Sequence, residues 1–208
     1  MKAPLYNPNG EQIGEIELKE ELFGVKPNLH LLWEITRLYL ANKRQGTHKA
    51  KTRAKVNASG RKIYPQKGLG RARHGDVKAP VFVGGGKAHG PRPRDYYTEI
   101  PAKLKRLSLL HSLADKAQNG RILVIEKFEF QVPKTKRMAE LLDKMGLNKE
   151  KTLVLSADYN RNLYLSGRNI PYCDVIEVKD VNSLEVLNHK YVVIEKDGLE
   201  KLEKRLAI

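Results

Sequence analysis

The sequence predicts an α/β protein: a three-layer α/β/α domain on a mostly parallel four-stranded sheet, with a long extended basic loop inserted in it. Three observations lead there. Four short runs, residues 122–125, 152–155, 175–178 and 191–194, are mostly apolar on both alternate positions, as strands buried on both faces of a parallel sheet are. Helical patterns separate them, which makes the connections right-handed crossovers. Between Asn42 and Asp95 neither period survives, because nine glycines and four prolines interrupt the stretch.

The elements follow in order. Leu5-Tyr6, the turn Asn7-Pro8-Asn9-Gly10, and then Ile13, Ile16 and Leu18 read as a small hairpin. Asn28 is a fitting N-cap for a helix that places Leu31, Ile35 and Leu38 on one face and runs to about Ala41. After the glycine-rich stretch, Pro101 opens a helix with Leu104, Leu107, Leu110 and Ala114 on one stripe, and Gly120 follows its end. Met138, Leu141, Leu142 and Met145 stand at i, i+3, i+4 and i+7, with Gly146 as the stop signal. The last helix begins near Asp197-Gly198-Leu199-Glu200 and turns Leu199, Leu202 and Leu206 inward. The expected organisation is a single domain over 1–208, with globular parts at about 1–41 and 96–208 and an insertion at 42–95.

Charge is segregated just as sharply. The chain has a formal charge of +15 from 39 Lys and Arg against 24 Asp and Glu. The 42–95 segment holds 15 of those bases and two acids, so nearly all of the surplus lies in a quarter of the length. The bases are Lys43, Arg44, Lys49, Lys51, Arg53, Lys55, Arg61, Lys62, Lys67, Arg71, Arg73, Lys78, Lys87, Arg92 and Arg94. Glycine-rich backbone approaches phosphates closely, arginine makes forked contacts with them, and lysine supplies point charge. All fifteen are therefore candidate nucleic-acid contacts. Ordering each residue costs roughly 1–2 kcal/mol, and so few large apolar side chains offset little of it. The expectation is a segment mobile by itself and ordered by a partner.

RNA is the favoured partner. No helix-turn-helix, zinc finger or basic zipper offers a major-groove reader. Glycine-rich backbone with scattered Arg, Tyr64, Phe82 and His suits folded RNA read by shape and stacking, although the same rings could also staple the segment to itself. Enzymatic signals are poor. Gly68-Leu69-Gly70-Arg71-Ala72-Arg73 lacks the third glycine and the preceding strand of a dinucleotide fingerprint. Gly84-Gly85-Gly86-Lys87 lacks phosphate-loop spacing. His48, His74 and His89 are too dispersed for a metal site. Asp76 and Asp95 read as partners for arginine rather than an acid–base pair. No cofactor is expected. Cys173 is the only cysteine, so no disulfide forms, and a structural role is expected for it. With no apolar run of a signal peptide or a membrane span, a cytosolic protein without membrane contact is expected.

The runs RQGTHKAKTRA, RKIYPQKGLGRARHG and GGGKAHGPRPRDY, followed by ILVIEKF, PKTKRMAELL and LYLSGRN, resemble the bacterial type of the L-four family of the large ribosomal subunit. The resemblance covers most of the chain. It implies a structural, non-enzymatic protein of the cytoplasmic large subunit, bound to 23S-type rRNA and supporting its assembly. It also implies a loop whose tip lines the peptide exit tunnel at a constriction shared with the L-twenty-two protein. By motif the tip is Ser59, Gly60, Arg61, Lys62, Ile63, Tyr64, Pro65, Gln66 and Lys67. There the family commonly has Pro-Trp-Arg-Gln-Lys after the paired bases, where this chain has Ile63-Tyr64-Pro65-Gln66-Lys67. Val81-Phe82-Val83 stands where Trp-Arg is common. Some members also repress their own operon by binding its messenger leader RNA.

Overall fold

The computed structural model describes residues 1–147 and 149–206. By internal contacts the chain divides into two compact units, Met1–Leu40 with Glu99–Ile208, and Ala41–Thr98.

The larger unit starts with strands β1 (Lys2–Tyr6) and β2 (Gln12–Glu17), a short helix α1 (Glu20–Phe23) and helix α2 (Leu29–Asn42), whose last two residues fall in the second unit. After the 41–98 stretch come α3 (Ala102–Gln118), β3 (Ile122–Ile125), α4 (Thr135–Lys144), β4 (Thr152–Ser156) and α5 (Arg161–Gly167). Strand β5 (Cys173–Glu177), α6 (Ser183–Asn188), β6 (Tyr191–Glu195) and α7 (Lys196–Leu206) complete it. Asn28 caps α2 as expected, its side-chain oxygen accepting from the Leu31 N–H at 3.2 Å. Asn160 and Asn182 do the same for α5 and α6, accepting from Leu163 and Glu185 at 3.1 and 2.9 Å.

The sheet corrects the four-stranded expectation. It has six strands, in the order β2-β1-β3-β6-β4-β5, and it is mixed. The N-terminal hairpin, read as a separate element, joins it: β1 runs parallel to β3, pairing Leu5 with Val124 and Tyr6 with Ile125, while β2 forms the edge antiparallel to β1. The four runs read from the sequence are β3, β4, β5 and β6, all parallel to their neighbours, with β5 placed at Cys173–Glu177 rather than 175–178. Pairing a strand at residue 5 with one at residue 124 is a long-range event, so no local period announces it.

Three layers result from strict alternation. Ile122, Val124, Leu153, Leu155, Val192 and Ile194 face a core shared with Phe23 of α1, Leu109, Leu110 and Leu113 of α3, Val186 of α6 and Leu199, Leu202 and Leu206 of α7. Leu123, Ile125, Val154 and Val193 face the opposite core with Met138, Leu141 and Leu142 of α4 and Leu163 of α5. The Glu195 carboxylate at the end of β6 ties two loops, accepting from the backbone N–H of Phe128 at 3.3 Å and of Ala157 at 2.8 Å. No helix among the described residues is long and apolar enough to cross a membrane.

Candidate nucleic-acid interface

The Ala41–Thr98 unit is an out-and-back excursion whose limbs are joined by hydrogen-bonded rungs. At its base Asn42 and Thr98 bond reciprocally, Nδ2 to the Thr98 carbonyl at 3.0 Å and the Thr98 N–H to Oδ1 at 2.8 Å. Further out, the Arg94 N–H donates to Gly46 at 3.2 Å, Ala50 to Pro91 at 3.0 Å, and Lys87 to Lys51 at 2.9 Å. Near the far end Ile63 donates to Gly75 at 3.0 Å, and the Tyr64 hydroxyl donates to the Ala72 carbonyl. Partner numbers rise on one limb as they fall on the other, which is antiparallel register, and the chain reverses in the Pro65–Arg71 region. Gly68 and Gly70 there have φ of 94° and 62°, the left-handed region that glycine enters without a Cβ clash.

Stacked rings hold this unit where a core would otherwise be. Arg44 and Arg94 both lie over the Tyr96 ring, 4.1 and 4.3 Å from its centroid, and His48 stands 6.0 Å away. The arrangement demands glycine at 46. Its φ is 70°, and a Cβ there would collide with the Arg94 carbonyl and come within 3.1 Å of the Tyr96 ring. Farther out, His74 sits edge-on to Phe82 at 4.9 Å and to Tyr64 at 6.2 Å. Phe82 and Tyr64 thus staple the segment, one of the two roles left open by the sequence. Gly86 is the one buried residue between 41 and 98, packed so tightly on Arg53 that a Cβ would strike its backbone nitrogen. The sequence expectation of little self-burial holds, but backbone rungs and ring contacts give the segment a defined path.

Of the fifteen candidate bases only Lys78 is half-buried, and Lys43, Arg44, Lys49, Lys51, Arg53, Lys55, Arg61, Lys62, Lys67, Arg71, Arg73, Lys87, Arg92 and Arg94 are exposed. Two carboxylates cannot neutralise them internally, and the Asp95 carboxylate is engaged by the Tyr97 N–H at 2.8 Å. Lys49 lies beside Lys55, and its hydrogen bond and like charge pull the Lys55 pKa below the usual lysine value. Two neighbouring ammonium groups attract a phosphate. The expected tip residues Ser59, Arg61, Lys62, Ile63, Tyr64 and Pro65, with Val77, line a concavity of about 560 Å³. Lys62 reaches the Gln66 side chain at 2.8 Å and the His74 carbonyl at 3.1 Å. Gly60 and Lys67 are exposed in the same stretch.

A sequence model of the ribosomal protein L4/L1 family matches residues 16–205. The chain belongs to this family. It is 42% identical over 203 residues to the large ribosomal subunit protein uL4 of Carboxydothermus hydrogenoformans, covering 98% of each chain. It is 44% identical over 205 residues to the large ribosomal subunit protein uL4 of Desulforudis audaxviator, covering 99% of each. The L4/L1 family is structural and non-enzymatic.

Sequence reasoning missed the residues that brace the Ala41–Thr98 unit. Asn42, Thr98, Gly46 and Tyr96 carry no charge, and their partners lie on the opposite limb. The one available signal was Tyr96 two residues after Arg94, within stacking reach. In the larger unit, Asp174, Glu185 and His189 offer ligand atoms within 4.8 Å of one another. Both His189 nitrogens are already engaged, Nδ1 with the Glu185 carbonyl at 2.7 Å and Nε2 with Asp174 at 2.9 Å, so this trio braces β5 against α6. Cys173 is buried beside it, and burial with the Asp174 charge pushes its thiol up to about 12, which fits the structural role expected for it.

Proposed function

We propose that the chain is a structural constituent of the cytoplasmic large ribosomal subunit that binds 23S-type rRNA through the 42–95 loop and supports rRNA assembly. One observation carries the reading: a two-limbed loop, without a core of its own, exposes all but one of fifteen bases against two acids. Such a loop neutralises phosphates lining a passage in folded RNA, and its rungs hold the two rows of charge in register. The fifteen residues act as phosphate contacts, with arginines also available for stacking.

The stretch Ser59–Lys67 forms the tip, and by family membership it shapes the peptide exit tunnel constriction beside the L-twenty-two protein. The concavity around Arg61, Lys62 and Tyr64 supports this, because it presents polar and apolar edges together. The same exposed charge would hold a messenger leader, the regulatory role of some relatives.

The test is salt dependence. Binding of the full chain to large-subunit rRNA is expected to weaken linearly in log K against log salt, each neutralised phosphate adding roughly 0.7–0.9 to the slope. Replacing Lys49, Lys51 and Arg53 together with Gln is expected to lower the slope by about 2–3. Salt-insensitive binding, or an unchanged slope in the triple variant, overturns the reading.

A further inference from the structure

Helix α2 carries an apolar stripe that the larger unit does not bury. Its inward face is Leu32 and Ile35. Leu29, Trp33 and Leu40 are 72%, 59% and 52% exposed. At about 100° per residue these three and Arg37 fall within an arc of roughly 80°, one narrow strip along the helix. The Arg37 guanidinium lies over the indole of Trp33, 4.9 Å from the ring centroid, and His30 stands 6.2 Å away. Trp33 is the only tryptophan in the chain.

We infer that Trp33 and Arg37 form a second RNA contact, a platform on which an unpaired nucleobase of the large-subunit rRNA stacks. The inference rests on the RNA-binding reading above and adds a site outside the basic loop. Three features choose this occupant. An indole braced by a guanidinium is a flat, cationic surface, which suits the π-face of a base joined to a phosphate. Charge agrees: Lys26, Arg37, Lys43 and Arg44 flank or belong to this helix, against Glu34 as the one carboxylate from 26 to 44. A docked protein helix is a poorer fit, because Arg37 interrupts the stripe where an apolar knob would insert. Leu29 and Leu40, one toward each end of the strip, offer apolar contact to neighbouring sugars or bases.

The single tryptophan makes the test direct. The full chain is titrated at low salt with a ten-nucleotide adenosine RNA and with an abasic strand of equal length and charge. Stacking is expected to quench Trp33 emission over the binding range of the adenosine strand and to leave it unchanged with the abasic one. Trp33→Ala is expected to lower affinity for labelled adenosine strand, relative to the abasic strand, by about fivefold or more, and Trp33→Phe to restore part of it. Circular dichroism checks that both variants are folded. If both strands bind in a salt-dependent way but emission does not respond, or Trp33→Ala keeps the wild-type affinity ratio, this platform is refuted while the loop reading stands. If neither strand binds, the platform is refuted, and the loop reading is decided separately by its salt-dependent binding to large-subunit rRNA. Quenching by another large-subunit protein and not by RNA assigns the stripe to protein and also overturns the inference.

Discussion

Asn42 and Thr98, 56 positions apart, satisfy each other's polar groups with two hydrogen bonds of 3.0 and 2.8 Å. The pair closes the base of the basic loop, using one amide side chain as both donor and acceptor. Removing it with Asn42→Ala deletes both bonds at an exposed site, worth on the order of 1 kcal/mol. Loop closure varies only as the logarithm of length, so loss of the clasp transfers closure to the next rung at Gly46 and Arg94. The expected outcome is faster amide exchange at Thr98 and Arg94, with little change in the melting temperature of the α/β unit.

Gly46→Ala is the sharper perturbation of the same region. It forces alanine to a φ of 70° and drives a Cβ into the Arg94 carbonyl, at a cost of about 1–3 kcal/mol. The Gly46–Arg94 rung and the double stacking on Tyr96 are expected to be lost. Limited proteolysis should then cleave near residues 44–48 and 92–96 faster than in the wild-type chain.

Deleting residues 58–67 is expected to leave the larger unit folded, because none of its buried core lies there. Its thermal transition should shift by no more than a few degrees, while tunnel geometry in assembled subunits changes. Unfolding of the α/β unit on deletion would show that the tip belongs to the core.

Cys173 gives a pH prediction with a definite sign. Its thiol ionises at 9.0 when unperturbed and is pushed up to about 12 in the fold, chiefly by burial. Below about pH 9 it is protonated in both states and contributes no pH dependence. Between that pH and about 12 only the unfolded chain ionises, so this contribution to stability is lost as pH rises. Denaturant midpoints are expected to fall through this window less steeply in Cys173→Ala than in the wild type. At pH 8 the native thiol should resist alkylation that the denatured chain undergoes readily.

Periodicity exposed the cores of α4 and α7 because Met138, Leu141 and Leu142, and Leu199, Leu202 and Leu206, stand at helical spacing and are buried. In α3 Leu110 and Ala114 of the expected stripe are buried, Leu104 and Leu107 are half-buried, and Leu109 and Leu113 complete the inward face. The runs of β3, β4 and β6 were legible because they are apolar on both alternate positions; β3 and β4 are buried throughout, and β6 is buried except at Tyr191. The short α5 and α6 are too brief for a period to stand out, although Asn160 and Asn182 mark their starts. In the loop every candidate base could be named from composition, because charge needs no neighbour to be recognised. Tyr96 and Gly46 could not be assigned, since their roles come from Arg44 and Arg94 being brought over or against them.

By itself the sequence determined an α/β core, the confinement of nearly all surplus charge to residues 42–95, and a family whose motifs run the length of the chain. Those properties are local or additive: apolar spacing, glycine frequency and side-chain charge. Tertiary structure alone decided that β1 extends the sheet to six strands by pairing Leu5 with Val124. It alone set the register in which Lys51 meets Lys87 and Ile63 meets Gly75. Such pairings depend on which distant backbone groups find each other when loops close, and no short window of residues contains both partners.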